Sequence, residues 1–229
     1  MAFMKINLID KNMFLMVCLG LGLMAQSYGA TQKAKYTFES PLNVGLDIQG
    51  YKLKYKNYLW NSTTSLTTEG YGFNLGLEWI PLVTPVGKIA LSSGIGFATI
   101  VDAPVSSVST ANLYVAPIYL GLTYRADFIK NQVLVPFISG GVDLSLSTQT
   151  SKTGDGRSGV RIYKGYYYSS GLELCLNTFD SASGRELDSR IGINGFYLVA
   201  MYLSSKPFAA AESVNLSHDE IRVGIRFEI

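Results

Sequence analysis

The sequence predicts an all-β fold: a closed, antiparallel, eight-stranded up-and-down β-barrel that crosses a membrane with its strands. Three observations lead there. The final residues alternate strictly, with Ile221, Val223, Ile225, Phe227 and Ile229 on one face and Arg222, Gly224, Arg226 and Glu228 on the other. That strand runs to the last residue with no polar tail, and closure against the first strand would remove the free edge it otherwise leaves. Upstream, seven further extended segments alternate with connections that are long and polar on one side and mostly short on the other.

Composition sets the bounds. Of 229 residues, 48% are hydrophobic and 16% charged, with formal net charge +2. So even a balance gives no reason to expect a nucleic-acid partner. The first thirty residues read as a secretory signal. Lys5 and Lys11 make a weakly basic start, Met13 to Met24 form a short apolar core, and small residues follow to Ser27 or Ala30. That core is too short to span a bilayer as a helix. Val17 ahead of Cys18 is too bulky for a lipidation signal. Removal of residues 1–30 leaves Cys175 alone, so neither an internal disulfide nor a cysteine-based metal cluster is expected.

After a polar periplasmic lead-in at 31–41, the barrel is expected over 42–229. Its strands fall at 42–56, 70–79, 88–100, 112–124, 133–146, 163–175, 192–204 and 218–229. Most reach the roughly 9–11 residues of a tilted membrane strand. The segments 57–69, 101–111, 147–162 and 205–217 read as long loops. Pro81–Gly87 and Arg125–Gln132 read as turns. The connection 176–191 breaks the rule by its length, and Ser181 to Ser189 has room for one or two helical turns.

Alternation alone does not say which face is inside, but the polar face does. It reads Lys88, Ala90, Ser92, Gly94, Gly96, Ala98 in the third strand and Phe137, Ser139, Gly141, Asp143, Ser145, Ser147 in the fifth. Gly and Ala are poor choices for a solvated sheet face and good ones for a crowded lumen. The opposite faces, such as Ile89, Leu91, Ile95 and Phe97, are expected to meet lipid. Aromatic residues gather near the strand ends. Tyr71, Phe73, Phe97, Tyr114 and Tyr163 to Tyr168 are placed at the outer rim, and Trp79, Tyr124 and Phe227 at the inner one. The 192–204 strand is apolar on both faces, and Pro117 must cost the fourth strand a ladder hydrogen bond.

Arg222, Gly224, Phe227 and Ile229 occupy, in order, the four marked places of the terminal strand signal of bacterial outer-membrane barrels: polar, any, Gly, any, any, apolar, any, apolar. The usual terminal aromatic is Ile here, with Phe two residues earlier. With a signal and eight strands, the chain resembles the small outer-membrane barrels of the OmpA, OmpX and OmpW type, over 42–229 in architecture and over the last eight residues in motif. The resemblance implies a Gram-negative outer-membrane location with both termini in the periplasm. It also implies membrane lipid, lipopolysaccharide and the barrel assembly machinery as partners. No cofactor or metal is expected.

Chemistry-bearing residues are few. His218 is the only histidine and is expected at the outer rim without a catalytic role, because Ser217 and Asp219 beside it point to the other face. Thr153 to Gly159 lacks the Lys-Ser/Thr of a phosphate loop. The charged residues on the polar face matter more. Asp47, Glu78, Lys88, Arg125, Glu173 and Arg226 are expected in a lower ion network, and Arg222 with Asp143 in an upper one. An eight-stranded lumen is narrow enough to be filled by such side chains. The expected function is therefore non-enzymatic, a structural or surface-interaction role through the outer loops and an unidentified ligand. The alternatives are a narrow channel or carrier for small solutes and, after it, an outer-membrane lipid-modifying enzyme.

Overall fold

The structure, a computed structural model, describes residues 44–57, 66–104, 110–129, 132–151, 160–179, 184, 186, 189–190, 192–208 and 217–229. The expected signal, the lead-in and the tips of the long loops, including Thr153 to Gly159, lie outside these residues.

Eight strands form one closed sheet in chain order. They are β1 (Val44–Asn57), β2 (Leu66–Thr84), β3 (Gly87–Pro104), β4 (Thr110–Arg125), β5 (Leu134–Ser151), β6 (Val160–Cys175), β7 (Gly195–Pro207) and β8 (His218–Glu228). Every neighbouring pair is antiparallel. Closure runs from Gly45 opposite Glu228 to Tyr55 opposite His218. Val44 and Ile229 extend it by exchanging two backbone hydrogen bonds, at 3.3 and 2.9 Å. The apolar terminal strand thus has partners on both sides, β1 and β7, and leaves no free edge.

The two faces separate cleanly. Ile48, Leu77, Ile95, Leu120, Leu122, Ile138, Ile221 and Val223 are all exposed on the outside. A contiguous apolar belt of this extent has no place in water and suits hydrocarbon. Aromatics punctuate it: Phe73, Phe97 and Tyr114 form a row across β2, β3 and β4, with centroids 6.2 and 6.3 Å apart. Tyr163 and Tyr167 do not join the girdle. Period two turns them inward with Asp143-side neighbours, and both are buried in the lumen, while Tyr166 and Tyr168 face out. On β7, Val199, Met201 and Leu203 point in and Leu198 points out, which resolves a strand whose composition is the same on both faces.

Pro81 lies within β2, in a bulge where the pairing with β3 jumps from Trp79–Leu91 to Leu82–Ile89. A bulge is where a residue lacking an N–H can sit inside a strand. The hairpin itself is tighter than the sequence suggests: only Pro85 and Val86 separate the strands, and Gly87 follows with φ of 139°. At Pro117 the β3–β4 pairing passes from Ile95–Ile118 to Ala98–Val115 with no pair between. The β4–β5 turn is held by Gln132, whose amide donates to the carbonyls of Ala126 (2.9 Å) and Leu134 (2.7 Å) and accepts from the Phe128 N–H (3.0 Å). After β6 the chain makes a short 3-10 turn at Leu176–Thr178, and buried Asn177 ties it to β7 through the Phe196 N–H at 2.8 Å. Glu186, Ser189 and Arg190 beyond it are helical, with Arg190 paired to Glu186 at 2.9 Å.

A barrel with no edge strand resists detergent unfolding. We expect the folded protein to migrate differently on a denaturing gel before and after boiling, and identical migration would argue against closure.

Candidate functional site

The inner face begins with space. β1 to β3 and β8 present glycines to the lumen, and several sit against a polar side chain of a neighbour. A Cβ on Gly76 would lie 3.2 Å from Asp47 Oδ2, one on Gly94 3.1 Å from Asn74 Oδ1, and one on Gly224 2.8 Å from Gln49 Cγ. The small residues that the sequence shows on this face therefore make room for polar groups. β4 to β7 line the other wall with a cluster of Tyr119, Phe137, Tyr167, Val199, Met201 and Leu203.

Charged groups occupy the half of the lumen nearest the end of β8. Arg226 is fully buried and reaches Glu78 (2.7 Å), Glu173 (3.0 Å) and Glu228 (3.4 Å). Arg125 bonds Glu173 through Nε at 2.9 Å and also pairs with Glu78. Two arginines and two glutamates from β2, β4, β6 and β8 thus interlock across the lumen. Lys88 joins from β3 through Asp127 (3.0 Å) and Glu228 (3.7 Å). Asp47 lies beside Arg226 in the β1–β8 register yet has no ion-paired or hydrogen-bonded partner among the described residues. In this layer the described carboxylates are Asp47, Glu78, Asp127, Glu173 and Glu228, five against the three cations Lys88, Arg125 and Arg226.

The upper layer differs from the expectation built on Arg222 and Asp143. Arg222 bonds Glu220 instead, Nε to Oε2 at 2.6 Å. Its guanidinium is sandwiched between Tyr51 and Tyr119, 5.0 and 4.6 Å from the ring centroids. Asp143 accepts hydrogen bonds from Ser145 (2.8 Å) and Ser205. His218 is no rim residue. It is buried between these groups, its Nε2 3.0 Å from Glu220 and 3.3 Å from the Tyr119 hydroxyl. Glu220 and Glu228, which sequence reasoning passed over, share the inward parity of Arg222 and Arg226, and that parity is the signal that could have found them.

The upper layer holds the residue types of a hydrolytic relay. Ser145 and Ser205 donate to Asp143, whereas a nucleophilic serine would donate to the histidine. Above it Tyr51, Leu53, Ile100, Leu113, Val115 and Tyr163 pack into an apolar cluster that covers these groups. Between the two charged layers lies a cavity of about 60 Å³, lined among others by Asp47, Gln49, Asn74, Arg125, Tyr167 and Arg222.

Of the four residues matching the terminal signal, Arg222 lies in the lumen and Gly224 is pressed against β1, where a Cβ would sit 2.1 Å from the Ile48 carbonyl oxygen. Phe227 stacks on Phe196 at 5.1 Å with rings 7° apart, and Ile229 completes the closing ladder.

Removing one member of a buried charge cluster strands the others. Arg226→Leu should therefore destabilise the barrel by about 3–5 kcal/mol, read as a lower denaturant midpoint for loss of the folded gel band. Lys54→Leu, on the exposed outer face, should leave that midpoint within about 0.5 kcal/mol of the parent.

No family model matches the chain, and no curated protein matches it. Among solved structures, Neisserial surface protein A (NspA) superposes with a TM-score of 0.50 at 11% identity, over 82% of this chain and 97% of that one. The outer membrane protein OprG from Pseudomonas aeruginosa gives 0.48 at 9% identity, over 84% and 98%. Ail, the attachment invasion locus protein of Yersinia pestis, gives 0.45 at 16% identity, over 80% and 97%. Identities this low speak to fold alone, and the NspA superposition is the one that carries it. The chain has the fold of the small eight-stranded outer-membrane β-barrels.

Proposed function

We propose that this protein resides in the bacterial outer membrane as a barrel with a side-chain-filled lumen, and that its role is structural or surface-directed, exercised through the outer loops. The observation that carries this reading is the filling of the lumen. Arg125 and Arg226 lock four strands together below, Arg222 and Glu220 form a second layer above, and an apolar cluster covers that layer. A solute passing through would have to part buried ion pairs. The groups left to meet a partner are then the loops, and the apolar belt meets lipid and lipopolysaccharide. The burial of His218 and the bonding of both serines to Asp143 support a non-enzymatic reading.

Single-channel recording of the refolded protein in a planar bilayer tests the proposal. Electrical silence is the expected result. Steady conductance would replace it with the channel or carrier reading.

The terminal motif is proposed to serve recognition by the barrel assembly machinery as well as packing. Phe227→Ser combined with Ile229→Ser should abolish assembly in cells while the same chain still refolds in detergent. Normal yield in the outer-membrane fraction would reduce the motif to a packing role.

A further inference from the structure

The outward face of the barrel is sorted as sharply as its lumen, and its lysines are not equivalent. Among the described side chains, Lys52 and Lys54 share Glu69 at 2.7 and 3.6 Å, and Lys88 holds Asp127 and Glu228. Lys164 of β6 and Lys206 of β7 have no carboxylate partner among them. Both belong to the outward face, at the end of the barrel away from the chain termini. Lys206 lies opposite Tyr166 in the β6–β7 register. Lys164 lies opposite Phe208, whose N–H donates to the Lys164 carbonyl at 3.3 Å. The two cations are therefore diagonal neighbours across the strands, a spacing that long side chains bridge. The other diagonal is aromatic, with the Tyr166 and Phe208 ring centroids 6.0 Å apart. On β5, Val142 stands opposite Tyr166 and Leu144 opposite Lys164, both exposed. Asp219, the outward carboxylate of β8, accepts from the Ser204 hydroxyl at 2.7 Å.

We propose that Lys164, Lys206, Tyr166 and Phe208 form a binding site for the phosphate-monoester headgroup of an outer-leaflet glycolipid, the lipid A part of lipopolysaccharide. The proposal rests on the outer-membrane reading above and deepens it by naming where one lipid is held. Charge selects the ligand. Two neighbouring ammonium groups with no carboxylate beside them repel each other, and a phosphate monoester carrying about −1.5 to −2 at pH 7 matches both. A phosphodiester headgroup brings a single negative charge and leaves half the site uncompensated. Depth agrees. Amphipathic aromatic rings settle at the headgroup level of a bilayer, and lysine stems run along apolar surface to hold their ammonium groups in that layer. Val142 and Leu144 alongside offer an apolar wall to the acyl chains, which a soluble anion would not use. The Lys52–Lys54 pair lacks this property, because Glu69 already supplies its counter-charge.

The test refolds the full chain in detergent and mixes it with lipid A, dephosphorylated lipid A or phosphatidylglycerol. Native mass spectrometry counts the lipid retained, and the heat-modifiable gel band is scored on the same samples. The expected result is about one lipid A per barrel, with each of the other two lipids retained about tenfold less or weaker still. Lys164→Gln combined with Lys206→Gln should lower lipid A retention by about the same factor, and Lys164→Arg combined with Lys206→Arg should preserve it. Should the double glutamine variant fail to fold, Lys206→Gln alone serves. Lys52→Gln combined with Lys54→Gln should retain the lipid. Equal retention of dephosphorylated lipid A or phosphatidylglycerol, unchanged retention by the Lys164 and Lys206 glutamine variants, or an equal loss in the Lys52 and Lys54 variant would overturn the proposal and leave the outer-membrane reading intact. Absence of a heat-modifiable band from the parent chain would remove that reading, and the proposal with it.

Discussion

The ladder between β1 and β8 is the interaction on which everything else here depends. A bilayer core holds no water to satisfy a free backbone amide or carbonyl, and each group left unpaired costs several kcal/mol. A sheet can therefore enter it only by returning to its own first strand. Once the ring closes at eight strands, its radius follows, and so does the width of the lumen. That width decides side-chain size. Inward positions must either shrink to Gly, Ala and Ser or be large groups that interlock, and both solutions occur on neighbouring strands.

Interlocking charges are the second of these solutions. An apolar filling would avoid desolvation altogether, and buried ion pairs often contribute little net stability against well-packed hydrophobic groups. What the charged filling adds is directionality. Arg226 on β8 bonds carboxylates on β2 and β6, and Arg125 on β4 meets the same two from the other side. The cross-lumen bonds hold strands that share no ladder. They also make opening the lumen energetically steep, which supports a protein whose partners lie outside it.

Much of the architecture is legible in the sequence because a two-faced strand needs period two, and lipid on one side with a crowded lumen on the other makes the faces chemically distinct. Where the faces are alike the signal fails, as on β7. Where local chemistry misleads, position fails: Pro81 looks like a turn residue, yet the chain continues through it by a bulge. His218 looks like a loop residue because polar neighbours surround it in sequence. Its parity puts it inside beside Glu220, two residues along the same face, and closure of the ring brings it to Tyr119 of β4 across the lumen. The partner each charge takes has the same origin. Parity sets which residues face inward, while strand tilt and stagger set their relative heights, and the latter are properties of the closed ring that no single strand encodes. Glu220 and Arg222, by contrast, are neighbours two residues apart on one face of β8, so that pair is legible from parity alone, although counting heights across strands points to Asp143 as the partner.

The bridging arginine at the end of the chain also bears on the order of assembly. Glu78 and Glu173 lie on β2 and β6, and of their two arginine partners one, Arg226, arrives only with the last strand. A seven-stranded intermediate would carry both carboxylates with Arg125 alone between them, and a half-open lumen would need water to support the uncompensated charge. Completion of the ring then coincides with arrival of the second arginine at Glu78 and Glu173, so that the final strand brings both the missing backbone partners and a bridging counter-charge. An incomplete barrel is penalised twice for staying in hydrocarbon, which makes insertion and closure a single cooperative event.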